Sequence, residues 1–513
     1  MLSYDMHPPA FSDSDKTIHW LLNVHEKYYI ELKKAQELPR SFWESYSAFA
    51  NTAGGWIVLG VVEKHPQNEI LGVENVDKLL TSLWDQLSNP EKVSYRCVNN
   101  ADVQLCLLNG KNVVIVYVNE APESQKPVYL NGKIENAYLR TGDGDRLITN
   151  QELRAFLRNA QPEQDSLPLS HFSLEDLDTD TILSFKEKVH IRYPKKKYLE
   201  MSNEAFLTEI GACSLDRSTQ KLSIKKGTLL FFGKANSIKE IYPHFHLDYF
   251  NRRGNNPRWI DRVSDDEPND YEMNIYNFYR IVYDKLRILL QEPFHMDTYQ
   301  LRLPVSDFDE TLRECLVNTL AHADYIQGYP STKIDVYDGW FCFTNPGKML
   351  ISPRQFVAGG DSRPRNEIIM KMFRLLGASE RQGFGGPLIF KSALANNYRQ
   401  PEIITDIEHT ELKVWNIDLV DSYPDLDANE KNVLRFILKS RKPRSIREIA
   451  ESLQINTYQA RKITQTLVDR RRLQKLGNGP STKYTVSIQS GELLTQLQIA
   501  MDELKKSYAQ ERL

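Results

Sequence analysis

The hydrophobic pattern near the start of the chain predicts two strands separated by a helix. A short strand signal at residues 28–32 is followed by a helical segment, 40–51, and by the run WIVLGVVE (56–63). A short apolar run rich in β-branched residues favours a buried strand. Gly54 and Gly55 precede this run and permit a tight entry into the strand that a Cβ would obstruct.

Three carboxylates flank these two strands. Glu26 and Glu31 bracket the first strand, Glu31 and Lys33 share one of its faces, and Glu63 ends the second strand. If the strands are neighbours, the carboxylates converge beside a lysine. Hard divalent cations prefer carboxylate oxygens as ligands. A metal bound there would activate water and offset the charge of a phosphate. Lys33 would hold that phosphate. The alternative is that these are ordinary solvated surface charges.

This pattern resembles the Schlafen AlbA-like domain. The resemblance is carried by Glu26, Glu31-Leu32-Lys33, Ala48-Phe49-Ala50-Asn51-Thr52, Gly54-Gly55, Gly60-Val61 and Tyr138-Leu139-Arg140-Thr141-Gly142. It implies a nucleic-acid-facing domain. In nuclease members it implies an acidic triad that binds a divalent metal and cuts RNA. Carried over, the triad is Glu26, Glu31 and Glu63 with Mg²⁺ or Mn²⁺, and the third position is Glu where those nucleases have Asp. Members described as transcriptional regulators share the first two Glu.

Composition favours an ordinary globular protein of several domains. The chain has 513 residues, of which 41% are hydrophobic and 26% charged. It has no apolar run of 18 residues and no basic start followed by an apolar core, so we expect a cytoplasmic protein without a membrane segment. The five cysteines form no CxxC pair, which argues against a disulfide framework or a zinc ribbon.

We predict an α/β (α+β) multidomain fold. Its segments are 1–160, the AlbA-like domain; 161–300, a connector; 301–420, a GHKL-like domain; 427–486, a winged helix-turn-helix; and 489–510, an amphipathic helix. The polar, proline-containing stretch AQPEQDSLPLS (160–170) is the first linker.

Helices and one strand, GTLLFFG (227–233), are predicted in the connector. We interpret His244 and His246 as strand residues rather than metal ligands. The arginines of NRRGNNPRWIDR (251–262) are open to two interpretations, phosphate contact or an inter-domain salt-bridge patch.

One predicted helix in the third segment carries Glu314, Asn318 and His322 at i, i+4 and i+8, so they share a face. This helix resembles that of the GHKL-type ATP-binding fold, as found in RecG-like C-terminal regions. The resemblance implies that Glu314 activates water and Asn318 holds Mg²⁺, with ATP as a further candidate cofactor. The alternative is a degenerate fold kept for dimerisation or scaffolding.

Two further elements of this segment bear on ATP. The turn Asn345-Pro346-Gly347 carries Asn345 where adenine-binding members place an Asp, and no glycine-rich lid follows. The stretch ERQGFGGPLIF (380–390) predicts a phosphate-facing loop before an apolar helix. Its glycines are Gly383, Gly385 and Gly386.

The C-terminal segment predicts a winged helix-turn-helix. Three helices, 428–440, 446–453 and 457–470, precede two strands around a Gly-Asn-Gly-Pro tip, and Ser445 with Glu448 forms a capping box. Residues 427–484 contain 14 Lys and Arg and 5 Asp and Glu, so the net charge of this segment is +9. Because the net charge of the whole chain is −3, the rest of the chain carries −12. A basic module of this kind indicates nucleic acid. The alternatives are protein contact or docking on the acidic body.

In such a module the third helix enters the major groove. Its exposed candidates are Thr457, Tyr458, Gln459, Arg461, Lys462 and Gln465. The candidates for holding phosphates are Arg470, Arg471, Arg472, Lys475 and Lys483.

Taken together, the sequence predicts a nucleic-acid-binding protein whose first domain is a metal-dependent endonuclease, acting on RNA of tRNA type, with a role in defence against phage. The alternative is a DNA-binding transcriptional regulator without catalysis, in which the GHKL-like domain senses a nucleotide or builds the oligomer. The heptad-like spacing of the C-terminal tail, residues 494–508, favours a homo-oligomer, with a dimer preferred.

Overall fold

The computed structural model describes residues 14–487, apart from 25, 27–28, 35–36, 143, 162–163, 216, 218–221, 255–257, 268, 292–305, 361–362, 380–382, 397, 441 and 478. The predicted tail helix at 489–510 lies outside the described residues. The chain is a mixed α+β protein of two compact units, 1–162 and 163–513. No helix in the described part of the chain combines the length and apolar content needed to cross a membrane.

The first unit is built on a four-stranded sheet. Its helices are α1 (Ser14–Asn23), α2 (Arg40–Asn51), α3 (Val76–Leu87) and α4 (Asn150–Ala160). Its strands are β1 (Ile30–Lys33), β2 (Gly55–Leu59), β3 (Val61–Val62), β4 (Glu69–Ile70), β5 (Val103–Leu108), β6 (Lys111–Val118), β7 (Tyr129–Leu130), β8 (Lys133–Thr141) and β9 (Gly144–Leu147). The sheet order is β1-β2-β6-β5, with β1 parallel to β2 and the other pairs antiparallel. Alternating apolar residues bury both faces, one under α2 and α3 and the other under α1.

The two predicted strands are neighbours, but the second is not continuous. The run 56–63 breaks at Gly60, which has φ +97° and lies so close to Gly72 that a Cβ would approach its backbone to 3.0 Å. Residues 61–62 then leave the main sheet to pair with β4. The prediction that Glu63 ends a continuous second strand is therefore wrong, because the glycine redirects the chain.

The second unit contains a six-stranded sheet. Its helices are α5 (Thr179–Arg192), α6 (Asn203–Glu209), α7 (Lys226–Phe232), α8 (Ala235–Ile241), α9 (Ile275–Gln291), α10 (Ser306–His322), α11 (Pro353–Ala358), α12 (Glu367–Leu376) and α13 (Gly385–Ala395). Its strands are β10 (Pro168–Leu169), β11 (Cys213–Leu215), β12 (Leu222–Lys225), β13 (Leu247–Asn251), β14 (Asp261–Ser264), β15 (Thr332–Tyr337), β16 (Trp340–Pro346), β17 (Glu402–Thr405) and β18 (His409–Trp415). The order of the large sheet is β14-β13-β15-β16-β18-β17.

One hydrophobic core joins the connector to the region that follows it. The core runs from Leu169 to Val414, and β13 of the connector pairs in parallel with β15. The large sheet therefore crosses the boundary predicted near residue 300.

The segment GTLLFFG is helical, so its prediction as a strand is wrong. It forms α7, and Leu229, Leu230, Phe231 and Phe232 are all buried. A run that is apolar on every side has neither a period of 2 nor one of 3.6, so it does not distinguish a strand from a short buried helix.

The C-terminal module packs three helices against a small sheet. Its elements are α14 (Ala428–Ser440), β19 (Arg444–Ser445), α15 (Ile446–Leu453), α16 (Thr457–Asp469), β20 (Leu473–Leu476) and β21 (Lys483–Val486). The sheet order is β19-β21-β20. The predicted capping box of Ser445 and Glu448 is confirmed, and Asn456 caps α16 with Gln459 as its partner.

Candidate functional site

The predicted acidic residues of the first unit lie around the end of β1. The parallel pairing sets Glu31 beside Ile57 of β2. Glu31 is buried, Glu26 is half-buried and Glu63 is exposed. The sequence therefore predicts correctly that the three carboxylates lie in one region near β1, but they differ in solvent exposure.

Glu31 is held by two cations. Its Oε1 lies 2.5 Å from Nζ of Lys33, and its Oε2 lies 2.7 Å from Nη1 of Arg140. The Lys33 contact confirms that both residues share a face of β1. The same Nη1 of Arg140 is 2.9 Å from Asp145, which in turn accepts a hydrogen bond from the hydroxyl of Ser45 at 2.6 Å.

Sequence reasoning assigned no role to Arg140 or Asp145. Arg140 lay within the motif at 138–142, but nothing in that motif indicates which carboxylate its side chain meets. Burial lowers the pKa of Arg140, yet Asp145 and Glu31 together raise it above its usual value. The arginine is therefore a permanent cation inside the first unit.

Glu26 and Glu63 are linked through the backbone of Glu26. The amide of Glu26 donates to Oε1 of Glu63 at 3.1 Å, while Oε1 of Glu26 accepts from the amide of Leu32 at 3.0 Å. Burial raises the pKa of Glu26, and the charges of Glu31 and Glu63 raise it further. Negative charge at this site is therefore costly, which is a property of sites that attract a cation.

The three carboxylates do not form a compact ligand set. In the part of the chain that the structure describes, the one group of three or more ligand atoms lying within 4.8 Å of one another belongs to His246, Asp265 and Asp266. Oxygen donors are present at the first site, and Glu26 and Glu63 suit a hard cation. Glu31 suits it less, because both its oxygens face cations.

His246 bridges two aspartates. Its Nε2 is 2.7 Å from Asp248 and its Nδ1 is 2.5 Å from Asp265. These contacts raise its pKa to about 10, and burial opposes the shift. An imidazole with a carboxylate on each nitrogen is a doubly protonated cation, so His246 is an ion-pair residue. It lies just before β13, not within a strand as we predicted.

We expect His246→Asn to destabilise the second unit by about 2–3 kcal/mol at pH 7, because two charge-assisted hydrogen bonds are lost. The folded-state pKa is raised, so the contribution of His246 is complete below its unfolded pKa and disappears as the pH rises through about 10. Urea unfolding of both proteins at pH 7, 8.5 and 10 measures this. A difference that does not shrink with rising pH would contradict the charged bridge.

The residues predicted for nucleotide binding meet at the start of α13. Nδ2 of Asn318 donates to Oε1 of Glu314 at 3.2 Å, which confirms that they share a face of α10. Gly385 packs directly on this carboxylate, since a Cβ there would lie 2.1 Å from Oε1 of Glu314. Gly386 packs on the carbonyl of Phe356. Glu314 thus occupies the helix N-terminus where a phosphate would bind.

The remaining predicted residues of this region are arranged differently. Asn345 lies in β16, not in a turn, and it is buried with its amide donating to the carbonyl of Pro346. Gly383 has φ +73° and accepts a backbone hydrogen bond from Gly360. Burial beside Arg365 lowers the pKa of His322 to about 4, so this histidine is neutral.

The exposed face of α16 agrees with its prediction. Tyr458 is 76% exposed, and Thr457, Gln459, Arg461, Lys462 and Gln465 are also exposed, while Leu467 is buried. The side chain of Gln459 is used in the helix cap, and that of Gln465 donates to Asp469 at 2.7 Å. Lys475 and Lys483 are exposed on β20 and β21.

Two of the three arginines after α16 have partners at or just before the start of the module. Nη1 of Arg470 lies 3.0 Å from Glu430, and the guanidinium of Arg472 stacks on Tyr423 at 3.8 Å. Arg471 is exposed, with φ +58°. The predicted phosphate-holding set is therefore divided between internal ion pairs and exposed cations.

Three family models match parts of the chain. "Schlafen, AlbA_2" matches residues 26–149, a domain of unknown function (DUF8451) matches 154–248, and "Putative ATP-dependent DNA helicase recG C-terminal" matches 331–414. The first match spans the three glutamates and Arg140. The recG match begins after α10 and so excludes Glu314 and Asn318. All three end before the C-terminal module.

Among the solved structures that are similar to the chain, the DIP2311 protein from Corynebacterium diphtheriae is 16% identical over 91% of this chain and 93% of its own, with a TM-score of 0.39. The N-terminal domain of a "Putative ATP-dependent DNA Helicase RecG-related Protein" from Nitrosomonas europaea is 30% identical over 25% of this chain and 86% of its own, with a TM-score of 0.20. Scores this low add nothing to the family matches. No curated protein sequence matches the chain.

Proposed function

We propose that this chain, which carries a Schlafen AlbA_2 domain and a recG C-terminal-like domain, is a nucleic-acid-binding protein. In this proposal it binds duplex DNA through its C-terminal module. Residues 26–149 and 331–414 are the matched regions. In this proposal the module is a winged helix, the AlbA_2 domain makes a second nucleic-acid contact, and the protein acts as a transcriptional regulator.

The observation that carries the proposal is the exposed face of α16. Arg461 and Lys462 are exposed beside Tyr458 on α16, and Asn456 is the N-cap of this helix. A helix with cations and hydrogen-bonding side chains on its exposed side fits the major groove. Lys475 and Lys483 on the neighbouring strands are placed to meet phosphates. The net +9 of residues 427–484 supplies long-range attraction.

Fluorescence anisotropy with duplex DNA, single-stranded RNA and tRNA tests the proposal. We expect the protein to bind duplex DNA most tightly. The logarithm of the association constant should fall linearly with the logarithm of the salt concentration, with a slope of about −3 to −5. Affinity that is independent of salt, or equal for every nucleic acid, would contradict groove binding by the module.

A second candidate function is metal-dependent cleavage of RNA at the AlbA_2 domain, with defence against phage as its setting. The raised pKa of Glu26 and its link to Glu63 favour a cation there. The triad of the family corresponds to Glu26, Glu31 and Glu63, and Mg²⁺ or Mn²⁺ bound among them would polarise water and offset phosphate charge. Lys33, half-buried at the end of β1, would hold the scissile phosphate.

Incubation of the full chain with tRNA, single-stranded RNA and duplex DNA in Mn²⁺ or Mg²⁺ tests this candidate. Cleavage by the wild type and its loss in Glu26→Gln would establish the nuclease. Intact substrates in every reaction, together with duplex DNA binding, would leave the regulator as the function.

For the recG-like domain we propose a role in building a homodimer or sensing a nucleotide, without hydrolysis. ATP would have to displace Glu314 from the start of α13, and Asn345 is engaged within β16. We therefore assign no chemical step to these residues. Size-exclusion chromatography with light scattering, with and without ATP, distinguishes the two roles.

A further inference from the structure

We infer that four side chains of the second unit, Arg192, Lys225, Lys371 and Arg374, form one cationic cluster that binds the phosphate backbone of nucleic acid. The inference rests on the proposed nucleic-acid-binding function and adds to it a contact surface on elements other than α16. Arg192 and Lys225 belong to the region that matches a domain of unknown function. Lys371 and Arg374 belong to the region that matches the recG C-terminal model.

The first step is the meeting of two ammonium groups at Gly211. Nζ of Lys225 donates to the carbonyl of Gly211 at 2.9 Å. Lys371 reaches the same residue from α12, since a Cβ added to Gly211 would lie 2.6 Å from its Nζ. Lys371 is exposed and Lys225 is half-buried, so the two charges lie together at the surface.

The second step is the extension of this charge along α12. Arg374 lies three residues after Lys371, so both side chains share one face of the helix. Arg192, at the end of α5, packs its guanidinium directly on Gly377, where a Cβ would clash with Nη1. At 1.5 Å per residue, positions 371–377 span about 9 Å of the chain's path along the helix. The cluster is therefore a row of cations and not a single point charge.

The third step is the lack of neutralisation. In the part of the chain that the structure describes, none of the four side chains forms an ion pair with a carboxylate, and Nε of Arg374 is buried without a hydrogen-bond partner. Partial burial lowers the pKa of Lys371, and the charges of Lys225 and Arg374 lower it further, while Glu367 opposes the shift. Like charges at this separation repel, so a bound anion stabilises the cluster.

The end of α12 accounts for part of the cluster. Cations near a helix C-terminus interact favourably with the helix dipole, and Arg192 and Arg374 lie there. Lys371 is in the middle of α12 and Lys225 is on β12, so the dipole does not explain why these two ammonium groups meet at Gly211.

A polyanion suits this row of cations better than a small anion. One phosphate group is too small to contact cations spread over about 9 Å, whereas the repeating phosphates of a nucleic acid meet several of them at once. Lys371 and Arg192 are exposed, so a strand can reach them from solvent. Each such contact releases counterions, and none of them depends on the base sequence.

Anisotropy titrations of the full chain with duplex DNA of two unrelated sequences test this surface. We expect Lys371→Gln combined with Arg192→Gln to weaken binding about tenfold at 100 mM salt, equally for both sequences, and to reduce the salt slope by about 2. The control combines Lys196→Gln with Lys197→Gln, which removes the same charge from exposed side chains that already have carboxylate partners. It should change the affinity less than threefold. Equal losses in the two double variants would overturn the inference.

Acetylation of lysines with acetic anhydride, followed by mass spectrometry, locates the contact in the wild type. Duplex DNA should slow the modification of Lys225 and Lys371 at least fivefold and leave that of Lys196 unchanged within twofold. The same protection by inorganic phosphate alone would indicate a small-anion site and would overturn the assignment to nucleic acid.

The outcomes separate this surface from the C-terminal module. If Arg461→Ala with Lys462→Ala abolishes binding while the variant of Lys371 and Arg192 binds normally, the inference fails and the proposed function stands. If the α16 variant binds normally and the cluster variant does not, the surface stands and the module is not the DNA contact. A wild type that binds no nucleic acid would overturn both.

Discussion

Replacing Arg461 and Lys462 together with alanine should weaken duplex DNA binding about 100-fold at 100 mM salt, because a base-edge or phosphate contact is lost from each side chain. Both residues are exposed on α16, one turn after its capped start. The loss of two cations should also reduce the salt slope by about 2. Anisotropy titrations at four salt concentrations measure both quantities.

The control for this double variant is Arg447→Ala. Arg447 is also an exposed arginine of the C-terminal module, but it lies on α15 and pairs with Glu451 at 2.7 Å. Its loss should change DNA affinity less than threefold. Equal losses in both variants would mean that binding depends on overall charge rather than on the face of α16. A module used for protein contact would show no loss in either.

Local signals in the sequence were sufficient for the C-terminal module. Ser445, Glu448 and Asn456 fix the starts of two helices through their own side chains, and the predicted bounds of α14 and α15 match the structure. Capping depends on residues three positions apart, so no tertiary information is needed to recognise it.

The core of the second unit was harder to predict because its contacts are distant in sequence. The segment forming α7 is apolar on every side, and β13 joins β15 across more than 80 residues of chain. Neither hydrophobic periodicity nor composition reports such pairings. The region that matches the recG C-terminal model begins at residue 331, just before β15, which is an inner strand of the six-stranded sheet. The start of this match therefore does not coincide with an edge of the sheet.

At the first site, sequence spacing placed Glu31 and Lys33 on one face of β1, and that prediction is confirmed. The partner on the other side of Glu31 could not be predicted, because Arg140 is more than 100 residues away and reaches Glu31 only once β8 is folded. The position of Glu63 depends on the break in the strand at Gly60, which the continuous apolar pattern of residues 56–63 does not indicate. The assignment of Glu63 as a metal ligand therefore remains a prediction.

A buried aspartate in the predicted linker carries the largest expected effect on stability. Asp165 falls in the polar stretch that the sequence predicts to be a linker, yet it is only 2% exposed. Its carboxylate accepts hydrogen bonds from the amides of Glu367 at 3.0 Å, Ile368 at 2.8 Å and Ile369 at 3.1 Å. It caps α12 from 200 residues away, because the side chain of Asn366 is directed to the end of α10 instead.

Asp165→Ala should destabilise the second unit by about 4 kcal/mol, because the first amides of a buried helix lose their acceptor and the helix loses a charge at its positive end. Burial raises the pKa of Asp165 to about 6, so the stability that its protonated form contributes is lost as the pH rises through about 6. Unfolding is therefore measured in urea at pH 8, where the carboxylate is ionised in both the folded and the unfolded chain. Asp178→Ala is the matched control. Asp178 caps α5 locally through Thr181, and its loss should cost about 1 kcal/mol.

A cost for Asp165→Ala no larger than that for Asp178→Ala would contradict this role. The expected difference follows from the number of helix amides that lose their acceptor and from the burial of the cap itself. Asp165 accepts from three amides and is only 2% exposed, whereas Asp178 accepts from the amide of Thr181 and is half-buried. The same reasoning predicts an intermediate cost for Asp165→Asn, since an amide retains one acceptor oxygen but brings no charge to the helix start.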